Sequence, residues 1–230
     1  MINNYNDFIT ELFKAGFSGA VGGKDDGVFG LFRYGWGAEE ETGIEWHTDD
    51  PETDPWLWRM RVLNERNDIA YAKLFFKKAG YITKEWYPYF IAARRGDRIF
   101  EDDYADGIIS HAAKRIYDVV AENGHLPLHE IKSLAGFRRE DKSKFDSALN
   151  DLQMRMYLSI HSIKQQISSK GTQYGWSVTN FCTSEMFWGD AVFEQAAGIG
   201  TDEAVEKITK QILSLNPSAQ EKKILKFIMG

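Results

Sequence analysis

The chain has a single cysteine, Cys182, so no disulfide can close within it and no thiol pair is present to hold zinc. Five histidines are scattered; His125 and His129 stand four apart, but Pro127 falls between them at a helix start, so no metal site is read. No apolar run approaches the roughly 20 residues of a membrane span. The opening MINNYNDFITEL has no basic segment ahead of an apolar block, and no secretory leader is read. GxSxG is absent, which removes the hydrolase elbow. Gly23-Lys24 invites a phosphate loop, yet Ser18 stands where that motif needs glycine and Asp25 where it needs Ser or Thr. No glutamine occurs before Gln153. These absences set the expectation of a soluble, cytoplasmic protein with no membrane partner, no metal and no cofactor.

What is present is a sharp change of charge sign. The 230 residues net −6, which argues against a uniformly basic coat. Gly37 to Asp54 nevertheless carries eight acidic residues and no basic one, and Leu57 to Arg98 carries ten Lys/Arg against four Asp/Glu. The second stretch also holds Trp58 and Trp86 and ends near Arg94-Arg95. Such a switch in an aromatic-rich segment marks a candidate working surface, because association follows local field rather than total charge.

Periodicity organises the chain. Asn3 to Lys14 reads as a helix with Phe8, Ile9, Leu12 and Phe13 inward, and Val28 to Tyr34 reads as a strand. Asp54-Pro55 starts a helix that runs through Trp56, Met60 and Leu63, with Asp as N-cap and Pro at the first helical position. Ala70 to Phe76 reads as a strand, with a turn at Gly80, and Thr83 caps a helix to Arg95 that Pro88 must delay or kink. Asp106 to Asn123, Leu128 to Ala135 and Asp141 to Met156 read as three helices. Tyr157 to Ile163 and Tyr174 to Asn180 follow as strands joined by SSKG. Helix, short helix, helix, hairpin is the order of a winged helix, the third helix reading DNA and the hairpin forming the wing. The expected fold is therefore α+β and mainly helical. It divides into an N-terminal aromatic and basic α/β region (1–98), a winged-helix domain (99–183) and C-terminal helices (184–230). In the last segment Thr201 caps one helix, Pro217 ends it, and Ser218 with Glu221 starts another.

The candidate DNA contacts follow from that order. Arg138, Arg139, Lys142, Ser143 and Lys144 lie at the start of the third helix, Ser147 lies further along it, and Lys170 lies at the hairpin tip. Arg94 and Arg95 would extend the basic face. Trp58, Arg59, Tyr71, Lys73 and Trp86 are candidates for an aromatic pocket that could stack a base. Asp54, Glu65 and Asp68 are the candidate catalytic carboxylates, though Asp54 is equally suited to capping and the others to ion pairs. His47, Asp49, Asp50, Glu52 and Asp54 could gather a hard cation, but their spacing fits no EF-hand, and a solvated loop is the plainer reading.

With these segments placed, AYAKLFFKKAGYITKEWYPYF, NGHLPLHEIKSLAGF and LNDLQMRMYL resemble the winged-helix DNA glycosylases of AlkZ/YcaQ type over Ile69 to Thr183. DPWLWRMRVLNERNDIAYAK resembles a shorter, AlkZ-related group. The resemblance implies duplex DNA as partner and, in the larger enzymes, N-glycosidic hydrolysis on alkylated or crosslinked DNA. Their Gln-x-Gln or Gln-x-Asp motif has no counterpart here, and Lys77 and Lys78 stand in a segment that carries histidine in those enzymes. The departures thus fall on catalysis and spare the DNA-binding scaffold. The alternative is a non-catalytic winged-helix module whose aromatic-basic centre takes a small molecule or a protein.

Overall fold

The computed structural model describes residues 2–19, 28–31, 43–164 and 177–230. Within them the chain is α+β and mainly helical, with two three-stranded antiparallel sheets. Helix α1 (Tyr5–Ala15) is capped by Asn4, whose side chain accepts from the Asp7 amide at 2.9 Å, and closes at Gly16 in the left-handed region. Its buried stripe is Tyr5, Phe8, Leu12 and Ala15. Phe13, expected inside, is exposed, because the 3-4-3 spacing of those four residues takes the core face. Strand β1 (Phe17–Ser18) follows. Of the strand expected over 28–34, residues 28–31 are irregular and the rest lies outside the described residues, as do 20–27 and 32–42.

The charged stretch folds as helix, hairpin, helix. Asp54 caps α2 (Pro55–Glu65), accepting from the Trp56 amide at 2.8 Å, with Pro55 in the first turn as read from the sequence. On its inward face Pro55, Trp58, Val62 and Leu63 are buried, while Trp56 points out and Met60 is half-buried. Strands β2 (Ile69–Phe75) and β3 (Lys78–Thr83) pair antiparallel, Tyr71 facing Tyr81, and the sheet runs β1-β3-β2.

The turn between them is at Phe76-Lys77, not Gly80. Gly80 sits inside β3 because a Cβ there would meet Phe75 Cδ2 at 2.5 Å and the Ser18 carbonyl at 2.7 Å. Thr83 caps no helix; it ends β3, and its hydroxyl donates to the Gly16 carbonyl at 2.9 Å. Helix α3 (Tyr87–Arg94) therefore starts late, with Pro88 in its first turn where a missing N–H costs nothing.

The helix read over 106–123 starts later, at His111, and a separate short helix precedes the predicted range. Helix α4 (Phe100–Ala105) ends before Gly107, whose φ of 72° reverses the chain, and Ser110 then caps α5 (His111–Asn123) by accepting from the Ala113 amide at 3.1 Å. Strand β4 (Leu126–Pro127), α6 (Leu128–Leu134), a 3₁₀ turn (Arg139–Asp141), α7 (Lys142–Met154), β5 (Leu158–Lys164) and β6 (Val178–Thr183) follow in order. The second sheet runs β4-β6-β5, all antiparallel. Phe145, Ala148, Leu149 and Leu152 turn the inner side of α7 towards α5, with which it packs.

Four more helices close the chain: α8 (Ser184–Trp188), α9 (Asp190–Ala197), α10 (Thr201–Leu215) and α11 (Glu221–Met229). Thr201 does not cap α10; Gly200 precedes it, and the Thr201 hydroxyl donates instead to the Ala92 carbonyl at 3.0 Å. Ser218 likewise makes no capping box, its hydroxyl donating to Asn216 Oδ1 at 2.8 Å. Helices α9, α10 and α11 lie against α3. Phe227 of α11 stacks on Phe75 at 4.0 Å and packs near Phe17 and Phe90, so the C-terminal helices share one continuous core with the first sheet. Loss of such a buried ring costs about 3–5 kcal/mol. No helix among the described residues is long and apolar enough to cross a membrane.

Candidate nucleic-acid interface

The start of α7 is built on an apolar anchor. Phe137 and Phe145 are buried and meet edge to face at 5.1 Å, while the Arg115 guanidinium lies 4.4 Å from the Phe137 ring and donates to the Ala135 carbonyl. Pinned at both ends, the segment between must turn its polar residues outward. Arg138 is extended, and its amide donates to Asp141 Oδ2 at 2.9 Å, which opens the 3₁₀ turn. Arg138, Arg139, Lys142, Ser143, Lys144 and Ser147 are all exposed. None of those four cations has a carboxylate partner among the described residues, although Glu140 and Asp146 lie exposed beside them. The structure thus brings six of the sequence candidates onto one surface. Lys170 lies outside the described residues.

Arg94 and Arg95 do not join that surface. Arg94 donates to the Met154 carbonyl at 2.7 Å, the Ile228 carbonyl at 2.6 Å and the Phe227 carbonyl at 3.1 Å, so it closes the C-terminal ends of α7 and α11 together. Burial pulls its pKa down to about 9, which leaves it charged at neutral pH. Arg95 is 9% exposed; it pairs with Glu185 at 3.1 Å and lies 4.2 Å from the Tyr157 ring. Both arginines were expected on a DNA face. Chain carbonyls hold the Arg94 guanidinium, and Glu185 with the Met156 carbonyl holds one Arg95 nitrogen, inside the fold instead.

The pocket candidates also separate. Trp58 is fully buried, stacked on Phe8 at 5.3 Å with its indole N–H donating to the Pro51 carbonyl at 3.1 Å, so it is core. Trp86 is nearly buried under Lys207 and forms one wall of an open groove of about 480 Å³, with Glu203, Glu206, Lys210, Gln211 and Ser214. Arg59 stacks on the exposed Trp56 at 3.6 Å and faces the buried hydroxyl of Tyr71, whose pKa burial raises. Lys73 is exposed on β2. No single pocket collects these five.

The carboxylates are structurally engaged. Asp54 is wholly buried as the α2 cap. Glu65 pairs with Arg61 at 3.0 Å, and Asp68 is held by Arg66 Nε and Nη2 at 2.9 and 2.7 Å. In the acidic loop Asp50 accepts from the Glu52 amide and the Thr53 hydroxyl, bonds that lower its pKa. No group of three or more metal-ligating side chains gathers among the described residues. Cys182 is buried and its thiol is pushed up to about 12, first by burial and then by Glu185, so it is inert.

Two features escaped the sequence reading. Asp103, 4% exposed, accepts from Arg98 and from the Tyr157 hydroxyl at 2.8 Å, which with Arg95 and Glu185 makes a buried polar junction between α3, α4, β5 and α8. Gln153, also buried, accepts from the Lys73 amide at 3.1 Å and donates to the Leu149 carbonyl at 3.0 Å. It stitches the free edge of β2 to α7. The contacts that bury them have no local signal, since Tyr157 lies 54 residues from Asp103 and Lys73 lies 80 from Gln153.

Fold and surface together define an α+β protein that presents the unpaired basic start of one helix beside a small antiparallel sheet. The chain belongs to the AlkZ-related family, whose model matches residues 2–229 and so extends well beyond the resemblance seen over 69–183. No curated protein and no solved structure matches it.

Proposed function

We propose that this is a cytoplasmic duplex-DNA-binding protein in which residues 99–183 act as a winged helix and α7 is the recognition helix. The observation that carries the reading is the start of α7: Arg138 and Arg139 just before the helix and Lys142 and Lys144 in its first turn, none ion-paired among the described residues, with Ser143 between the two lysines and Ser147 one turn on, and with the opposite face of the helix in the core. Basic groups there suit phosphates and the two hydroxyls suit base edges. The positive end of the α7 dipole adds to the attraction. The element order α5-β4-α6-α7-β5-β6 and strand order β4-β6-β5 support the winged-helix reading, as does family membership, which relates the chain to DNA glycosylases. Lys170 would extend the contact from the wing.

Hydrolysis of a damaged nucleotide is the further step the family relationship suggests. The geometry supports binding more strongly than hydrolysis: Asp54 is a cap, and Glu65 and Asp68 are held in ion pairs. The test is binding to labelled intact and alkylated duplexes across a salt series. Arg138→Ala with Arg139→Ala should weaken binding to both and make log K against log salt shallower by about 1.8. Salt-independent or absent binding by the unaltered protein contradicts the proposal. An abasic product from the alkylated duplex would add the enzymatic step.

A further inference from the structure

The β2–β3 hairpin is an unusual turn. Its two tip residues, Phe76 and Lys77, both have positive φ, 50° and 63°. Tight hairpin turns of this kind ordinarily use Asn-Gly or Gly-Gly, because a side chain in the left-handed region is strained, most of all a bulky one. The strain is held by packing: Phe76 lies 6.1 Å from Phe227, and Phe75 stacks on that same ring. What the turn presents is charge. From Ile69 to Thr83 the hairpin carries Lys73, Lys77 and Lys78 and no acidic residue, and all three lysines are exposed. Lys73 and Lys77 have no ionic partner among the described residues.

The hairpin is also fixed to the proposed recognition helix. Its outer edge bonds to Gln153 of α7, and Arg94 ties the end of that helix to α11, whose Phe227 supports the tip. From Lys142 to Gln153 along α7 is about 16 Å, and from Lys73 to the end of β2 at Phe75, two residues before Lys77, about 7 Å. Both lengths fall within one duplex turn of about 34 Å.

We infer that the β2–β3 hairpin is a second cationic contact, in which Lys73 and Lys77 grip the phosphodiester backbone of the same duplex that α7 reads. The inference rests on the DNA-binding reading above and goes beyond it by naming a contact outside the winged helix. Charge complementarity selects the occupant: the hairpin's exposed charges are all lysines, which offer point charges to a polyanion. A strained, packed tip holds them without the ordering cost of a flexible loop.

The experiment compares the full chain with Lys73→Gln/Lys77→Gln, Lys73→Arg/Lys77→Arg and Arg138→Ala/Arg139→Ala, using a labelled 25-base-pair duplex and fluorescence anisotropy over a salt series. The glutamine pair should make the salt slope shallower by about 1.8 and weaken binding roughly 10- to 100-fold at 0.1 M salt, while the arginine pair keeps both. Unchanged affinity and slope in the glutamine pair, with binding weakened in the Arg138/Arg139 variant, overturns the hairpin contact and leaves α7 standing. No binding by the unaltered protein overturns both. A hairpin that binds an acidic protein but not the duplex overturns the phosphate assignment.

Discussion

Arg94-Arg95 and Arg138-Arg139 look alike on paper, each a basic doublet beside a helix, yet they lie towards opposite ends of α7 and meet opposite fates. At the C-terminal end, Arg94 is surrounded by three carbonyls left over by two helices, and Arg95 by Glu185 and an aromatic ring. Those groups need a donor in a buried place, and a guanidinium supplies several at once. At the N-terminal end the orphan groups are amides, which repel cations, and Asp141 meets the Arg138 amide instead. The side chains of the second doublet are left to solvent. The difference teaches that a basic pair acquires its role from the backbone groups around it.

Substitutions can sharpen that contrast, and the largest effect falls on the buried doublet. Arg94→Met should cost about 3 kcal/mol or more by stranding carbonyls, read as a melting temperature lower by roughly 6–12 °C. The binding of the remaining folded protein to duplex should stay unchanged. Tyr157→Phe removes one partner from buried Asp103 and should cost about 1–3 kcal/mol in the same melt.

Asp54→Ala should cost about 1 kcal/mol, and Asp54→Ser, which can still cap, much less; a catalytic Asp54 would instead lose activity in both without loss of stability. Acid should have a smaller effect through His161, which stacks on His125 at 4.4 Å. Burial, His125 and Lys164 lower its pKa, so the unfolded chain takes up the proton first. Stability should therefore decline as pH falls below the ordinary histidine value near 6.5. Changing His161 to asparagine should flatten that decline in melts between pH 7.5 and 5. The smallest effect on stability, within about 0.5 kcal/mol, is expected for Arg138→Ala with Arg139→Ala.

Much of this architecture could be read from local pattern. The α2 cap at Asp54, the late start forced by Pro88, and the 3-1-3 spacing of Phe145, Ala148, Leu149 and Leu152 are short-range signals, and the structure follows them. The errors arose where a distant partner outweighed a local rule. Gly80 looked like a turn, but it is the close approach of Ser18 and Phe75 that demands it. Thr83 and Thr201 looked like caps, but their hydroxyls serve carbonyls at Gly16 and Ala92. The exposed start of α7 was legible because Arg138, Arg139, Lys142 and Lys144 have no distant partner among the described residues. The burial of Arg94 and Trp58 was not, since their partners lie elsewhere in the chain: residues 154 and 227–228 for Arg94, and Phe8 and Pro51 for Trp58.

One measurement bears most directly on the account: the salt dependence of duplex binding by the unaltered protein and by the Arg138→Ala/Arg139→Ala variant, with their melting curves. The account expects coincident melting, weaker binding by the variant, and a salt slope shallower by about 1.8. Equal affinities and equal slopes, with both proteins folded, would contradict it.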